Sequence, residues 1–299
     1  PTYGRLPRTG TFSFVDSLDH LGPFARTPRD LARAYDALQG HDPGDHGCAR
    51  RAPDPALPAL ARDPGPLRVG LPGGWFARFA GAGAAAATRV ADALGARGWP
   101  LSGIDLDAAE AGRAAAYLVT NSESAAFHLD RLRSRAAEFD PDTRDRFLAG
   151  ALLPAAWVAK AQRVRAWWLE RALDAFETVD VLVVPATPVT APRLGQRELS
   201  LDGRTVPLRP MLGLLSQPFS CIGLPVATVP VFAPGAMPLG VQIVAPPWAE
   251  SRALQVAEVL AGAGIAVAHP PPLGDAGPPA SADTAGAIRE DAGRGRAHA

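Results

Sequence analysis

Apolar residues recur along the chain with two periods. Leu31, Ala34, Tyr35 and Leu38 fall at helical spacing, and Thr27-Pro28-Arg29-Asp30 ahead of them carries the signals of a helix start. A threonine caps, a proline fixes the first φ, and an acid meets the positive end of the helix dipole. Gly40 predicts the stop. Residues 67–72 read as a short strand, 84–96 as an alanine-rich helix closed by Gly98, and 101–106 as another strand. A mostly helical pattern runs over 108–135. After 140–150 comes a strong helix in which Trp157, Ala161, Val164, Trp168, Ala172 and Phe176 share one face. Tryptophans at that spacing predict core packing rather than cofactor stacking. The β-branched run 179–185 predicts a buried parallel strand. Residues 226–231 and 239–244 alternate as two further strands. Leu254, Ala257, Leu260 and Ala261 predict a last helix, ended by Gly262 and Gly264. The strand–helix–strand rhythm predicts an α/β fold.

Aperiodic stretches separate these elements. Residues 50–66 are proline-rich and read as an exposed linker. Residues 189–210, rich in proline, glycine and arginine, read as a loop. From Pro270 onward proline, glycine and charge dominate, which predicts a disordered tail at 271–299 behind a domain portion at 1–270.

Composition narrows the function classes. The chain has 299 residues, 47% of them hydrophobic, enough for a sizeable core. Its formal net charge is zero, so nothing draws it toward nucleic acid or an anionic membrane. No apolar run reaches the roughly 18 residues that a membrane helix needs. Cys48 and Cys221 lie far apart, without metal-like spacing, which predicts free thiols in a reduced, cytoplasmic protein. His20, His41, His46, His128, His269 and His298 show no ligand spacing either, so neither metal nor cofactor is expected. Lys160 is the only lysine, on the polar side of the long helix, where a solvated state is expected. The Gly-x-Ser-x-Gly elbow of α/β-hydrolases is absent.

The remaining stretch, 1–27, is broken every few residues by Pro1, Gly4, Pro7, Gly10, Gly22 and Pro23. Turns of fixed geometry follow from such a density of glycine and proline. Pro1-Thr2-Tyr3-Gly4-Arg5, Gly10 and the run Ser17-Leu18-Asp19-His20-Leu21-Gly22-Pro23-Phe24-Ala25-Arg26 resemble, in order and without gaps, the segment after the nucleophile motif in the amidase signature family. The strand at 67–72, the Asn121-Ser122-Glu123 stretch, the strand end before Thr187, the Gln217–Pro225 segment and the Pro238–Ile243 strand resemble later motifs of that family.

The resemblance implies a mixed central sheet covered by helices on both faces, with the N-terminal portion of the fold lying upstream. It implies hydrolysis of a small carboxamide C–N bond without a cofactor. In the family a serine attacks, a second serine in a cis peptide relays the proton, and a neutral lysine is the base. That set is expected upstream of Pro1, which reads as a cut end, so the chain alone should be inactive. For the chain itself the resemblance implies pocket residues: Asp19, Gly22, Glu123, Thr187, Gln217, Phe219 and Cys221. The runs at 139–157, 217–226 and 234–248 are most similar to the family's carboxybiuret hydrolase subunits, implying a biuret-type substrate and a small partner subunit in an oligomer. The amidotransferase members of the family, which serve a tRNA substrate, are a neighbouring group. A non-catalytic member acting as a binding or assembly subunit is the reading from another class.

Overall fold

In chain order the elements are α1 (Pro28–Leu38), β1 (Val69–Pro72), α2 (Gly74–Arg78), α3 (Gly83–Ala96), β2 (Leu101–Ile104), α4 (Ala109–Arg135), α5 (Pro141–Ala151), α6 (Ala155–Ala175), β3 (Val181–Pro185), β4 (Glu198–Leu201), β5 (Arg204–Pro207), α7 (Leu208–Met211), α8 (Gln217–Ser220), β6 (Val226–Val231), β7 (Leu239–Val244) and α9 (Glu250–Gly262). The computed structural model describes residues 1–233 and 235–269, so the tail expected at 271–299 lies outside the described residues.

Five strands form one mixed sheet in the order β2-β1-β3-β7-β6. β1 runs parallel to β2 and β3, whereas β7 runs antiparallel to β3 and β6. The run expected to be a parallel strand is therefore the central one, parallel on one side and antiparallel on the other. All five of its residues are buried. Its alternation divides the core into two layers. Val181 and Val183 pack with Tyr35 of α1, Val90 and Leu94 of α3 and Leu260 of α9. Leu182 and Val184 pack with Phe76 of α2, Ala116 of α4, Trp168 of α6 and Phe219 of α8. Helices thus cover both faces, as expected. Each fully buried side chain of this size contributes about 1.5–3 kcal/mol.

α1 starts as its sequence predicts: Thr27 accepts a hydrogen bond from the Asp30 amide, with Pro28 in the first turn. Its inward residues are Ala32 and Tyr35, while Leu38, the last residue, is exposed. α6 buries Ala161, Trp168 and Ala172. Trp157, expected on that face, stands 58% exposed in the first turn, before the buried stripe begins. Trp168 is fully buried and its Nε1 donates to the Pro218 carbonyl at 2.6 Å, tying α6 to α8.

Two stretches read as irregular are ordered. The loop at 189–210 contains the β4–β5 hairpin, with Asp202 (φ 52°) and Gly203 (φ 71°) at its turn. Positive φ at both central residues is the geometry that matches strand twist in a two-residue hairpin. The proline-rich linker at 50–66 buries Ala56 and Leu60 in the core. Asp36 of α1 holds it by accepting from the amides of Ala56 (2.6 Å) and Leu57 (3.0 Å).

Candidate functional site

The segment 1–27 has neither helix nor strand of its own, and side chains from distant elements hold it. The Thr2 amide donates to Glu250 Oε1 at 2.7 Å, and the Trp248 amide donates to Thr2 Oγ1 at 2.8 Å. The Tyr3 amide donates to the Gly223 carbonyl at 3.0 Å. Gly223 adopts φ +71°, and a Cβ there would stand 2.7 Å from the Cβ of Tyr3, so the two segments touch only because the residue is glycine. Arg8 meets Asp45 through Nε at 3.1 Å and Nη2 at 2.7 Å, and Asp45 also accepts from the Arg8 and Gly47 amides. These bonds, the Arg8 side chain first, hold the Asp45 carboxyl well below the usual carboxylate range. Arg5 and Arg51 both lie over the ring of Trp248, at 4.9 and 4.4 Å from its centre.

Beyond Arg8 the chain makes a tight turn. The Asp19 carboxylate accepts from the amides of Phe14 (2.8 Å) and Val15 (3.0 Å) and from Ser13 Oγ (3.2 Å), so it organises the turn from within. Ser17, at the apex, donates to Glu123 of α4 from its amide (3.1 Å) and its hydroxyl (2.7 Å). Gln162 of α6 donates to the same carboxylate at 3.3 Å. Arg165, one turn further along α6, closes the ring. Its Nη2 donates to the Ser17 carbonyl at 2.9 Å, its Nη1 to Gln162 Oε1 at 3.3 Å, and its Nε to the Cys221 carbonyl at 2.5 Å. Ser17 forms a serine–carboxylate pair with Glu123, but its amide, hydroxyl and carbonyl are all engaged, so it serves as a clamp point rather than a nucleophile. His20 directs Nδ1 to the Leu18 carbonyl and leaves Nε2 buried without a partner. Burial, ahead of all other causes, pushes this imidazole below its usual range.

Three of the seven residues expected in a pocket therefore meet in one network: Asp19 shapes the turn, Glu123 grips it, and the Cys221 carbonyl is tied to it. Gly22 lies on the rim of a neighbouring cavity of about 260 Å³, with Phe24, Tyr35, Thr228 and Glu250 among its walls. Thr187, past the end of β3, donates to the Val189 carbonyl at 2.8 Å and stands apart from the ring. The Gln217 side chain packs near Gly213, with Oε1 buried and unpaired. Phe219 is fully buried and stacks on Phe76 at 5.0 Å, within the core. The Cys221 thiol is buried as well, and burial pushes it up to about 12, far from thiolate chemistry at neutral pH. Gln162 and Arg165 were not among the expected residues. Arg165 had a signal: it falls four residues after Ala161 and three before Trp168, on the core-facing stripe of α6.

Lys160 is exposed. Among the described residues no group of three or more His, Cys, Asp and Glu could hold a metal ion. No helix among them is long and apolar enough to cross a membrane. The family model described as Amidase matches residues 1–254.

The chain belongs to the amidase family.

It is 45% identical over 273 residues to AtzE, the 1-carboxybiuret hydrolase subunit of Pseudomonas sp. (strain ADP), covering 89% of this chain and 58% of that protein. It is 32% identical over 287 residues to the glutamyl-tRNA(Gln) amidotransferase A subunit of Acinetobacter baumannii (strain ATCC 17978), covering 86% of this chain and 56% of that protein. Among solved structures it superposes with a TM-score of 0.86 and 43% identity on a chain of the vestigial protein complex that reveals the evolutionary origins of an s-triazine catabolic enzyme. That match covers 90% of this chain and 59% of the other. The chain thus spans less than three fifths of the length of each of these relatives. The mixed central sheet with helices on both faces is the fold in which this chain superposes on its amidase relatives.

Proposed function

We propose that this chain forms the acyl-pocket side of an amide hydrolase whose substrate is a small biuret-type amide. The observation that carries this reading is the 45% identity with a carboxybiuret hydrolase subunit, sustained over 273 residues. In this reading a serine attacks the substrate carbonyl and expels the nitrogen leaving group, which takes up a proton relayed by a second serine. The amine or ammonia leaves in that step, and water then hydrolyses the acyl-serine ester, releasing a carboxylate and regenerating the serine. A neutral lysine is the base, and backbone amides hold the oxyanion. The serines, the lysine and the glycine-rich loop come from residues outside this chain, since its lysine is solvent-exposed and its serine–carboxylate pairs, Ser13 with Asp19 and Ser17 with Glu123, hold the turn in place. The chain contributes the turn at 13–20, the rim at Gly22 and the segment around Cys221. A small partner subunit completes the assembly, and no cofactor takes part.

Ammonia release tests the reading. The natural polypeptide that carries this chain, purified with any subunit that accompanies it, is expected to release ammonia from biuret in preference to glutamine. Residues 1–299 alone are expected to release none. Hydrolysis by residues 1–299 alone would place the catalytic set inside the chain and overturn the division of labour. A preference for glutamine would move the protein to the amidotransferase group. An inactive natural polypeptide of intact mass near 31.1 kDa would leave the assembly-subunit reading in its place.

A further inference from the structure

Arg165 occupies a position where α6 otherwise presents apolar residues to the core, and it makes no ion pair among the described residues. Its fork meets only neutral acceptors: two backbone carbonyls, Gln162 Oε1 and Ser17 Oγ. One guanidinium holds the carbonyl of Ser17, 148 residues away in sequence, and the carbonyl of Cys221, 56 residues away. These two carbonyls belong to the segments that lead into the cavity walls at Gly22 and Thr228. Ser17 has a second anchor in Glu123, and the 217–223 segment has others in the Trp168 bond to Pro218 and the Tyr3 bond to Gly223. Each wall therefore stays attached to the scaffold without Arg165. Tyr3 also bridges the two segments, its hydroxyl donating to the Asp16 carbonyl at 3.0 Å and its amide to that of Gly223, and Arg165 adds the tie from Ser17 to Cys221 that is carried on helix α6. A lysine could not replace it, because an ammonium is a point charge without a planar fork.

We propose that Arg165 is a positioning residue for amide hydrolysis, setting the spacing between the Ser17 turn and the Cys221 segment, which lead into the walls of the cavity at Gly22 and Thr228. This rests on the amidase reading above. Reacting groups displaced by an ångström lose rate while substrate binding is little changed, so the loss should fall on kcat.

The experiment compares Arg165→Ala and Arg165→Lys with the wild type in the full natural polypeptide, following ammonia release from biuret and thermal melting. Arg171→Ala, on the exposed side of the same helix, is the control and is expected to be unchanged. Arg165→Ala is expected to stay folded and to lose about 100-fold in kcat, with KM within about three-fold of wild type. Added guanidinium at millimolar concentration is expected to restore about a tenth of the lost rate or more, a rescue that a mere packing defect would not show. Arg165→Lys is expected to behave like Arg165→Ala. A folded Arg165→Ala variant with kcat within about two-fold of wild type, or with its loss confined to KM, overturns the proposal. So does a wild-type rate in folded Arg165→Lys, or the unfolding of both variants, which would make Arg165 a folding determinant. If the wild type itself releases no ammonia from any amide, it is the amidase reading that fails.

Discussion

Two long connections in this protein, residues 1–27 and 186–216, differ in how much of their hold comes from buried side chains. The first is tied by side chains that reach it from far along the chain: Asp45, Glu123, Arg165 and Glu250. The second folds back on itself through the β4–β5 hairpin, with an exposed Arg78–Asp202 pair at its turn, and is fastened near its C-terminal end, where Arg113 donates to the Pro210 carbonyl and Gln242 to that of Leu215. The first can be loosened at one point by one side chain, while the second fails or holds as a local backbone unit. A segment placed by buried charged side chains is also sensitive to pH, whereas the hairpin rests on its backbone ladder, and its Arg78–Asp202 pair is exposed and weak. The candidate site lies on the first kind of connection, which lets small changes in distant helices alter its geometry.

The comparison breaks most severely at Asp45. Its side chain and that of Arg8 are 5% and 9% exposed, so Asp45→Asn leaves a buried guanidinium with only the exposed Asp16, at 3.5 Å, as counter-charge. A loss of about 3–5 kcal/mol in urea unfolding is expected. The pH dependence has a definite sign. Asp45 ionises more readily folded than unfolded, so its contribution is complete above the unfolded carboxyl value of about 4 and is lost as the pH falls below it. The variant should lose less over this range, since Asp42 and Asp180, also held below the usual carboxylate range, remain in both proteins. His20 and His128, held below the usual histidine range mainly by burial, also cost stability as the pH falls below about 6.5, but they do so in both proteins. The difference between the two pH curves therefore isolates Asp45. A variant that keeps the wild-type acid slope would show that Asp45 is not the group responsible.

Gly223→Ala attacks the same region through backbone contact. The new methyl would carry a left-handed φ and press on Tyr3, for an expected cost of about 2–4 kcal/mol. Amide exchange should quicken at 1–5 before it does at 198–207. Glu123→Gln is milder, because the amide still accepts from Ser17 but presents an NH2 group to one of its two donors. About 1–2 kcal/mol is expected. Faster exchange should be confined to 13–20, and unchanged exchange there would mean that Arg165 with the Tyr3 and Arg8 bonds to the Asp16 carbonyl holds the turn without Glu123.

Most of the scaffold was legible because it is periodic. The strands at 69–72, 181–185, 226–231 and 239–244 and the helices at 28–38, 83–96 and 155–175 follow from apolar spacing and from their caps. The hairpin was also written in the sequence, as Asp202-Gly203 between β-prone residues, but the surrounding proline and arginine hid its period. The order in 50–66 could not be read locally, because Asp36 supplies it from 20 residues away. The site was half legible for the same reason. Family resemblance pointed to Asp19, Glu123 and Cys221 one at a time, but what joins them is a guanidinium on a helix in another part of the chain. A lone arginine on an apolar stripe is the only local trace of that tie.

The smallest expected effect sharpens the comparison from the other side. Gly203 has φ +71° at the hairpin turn, and a Cβ there would meet nothing within 4 Å. Gly203→Ala therefore costs only the left-handed backbone penalty, about 1 kcal/mol. For a chain of this size that is a shift of roughly 2–4 °C in Tm. The turn at 13–20 shares no hydrogen bond with this hairpin, so the effect should stay local. Combined with Glu123→Gln, the two losses should add to within about 0.5 kcal/mol. A clear departure from additivity would show that the two connections are coupled through α4, where Arg113 grips the end of one and Glu123 the middle of the other. The helix would then act as a rigid lever between them, and a disturbance in the hairpin would reach the candidate site.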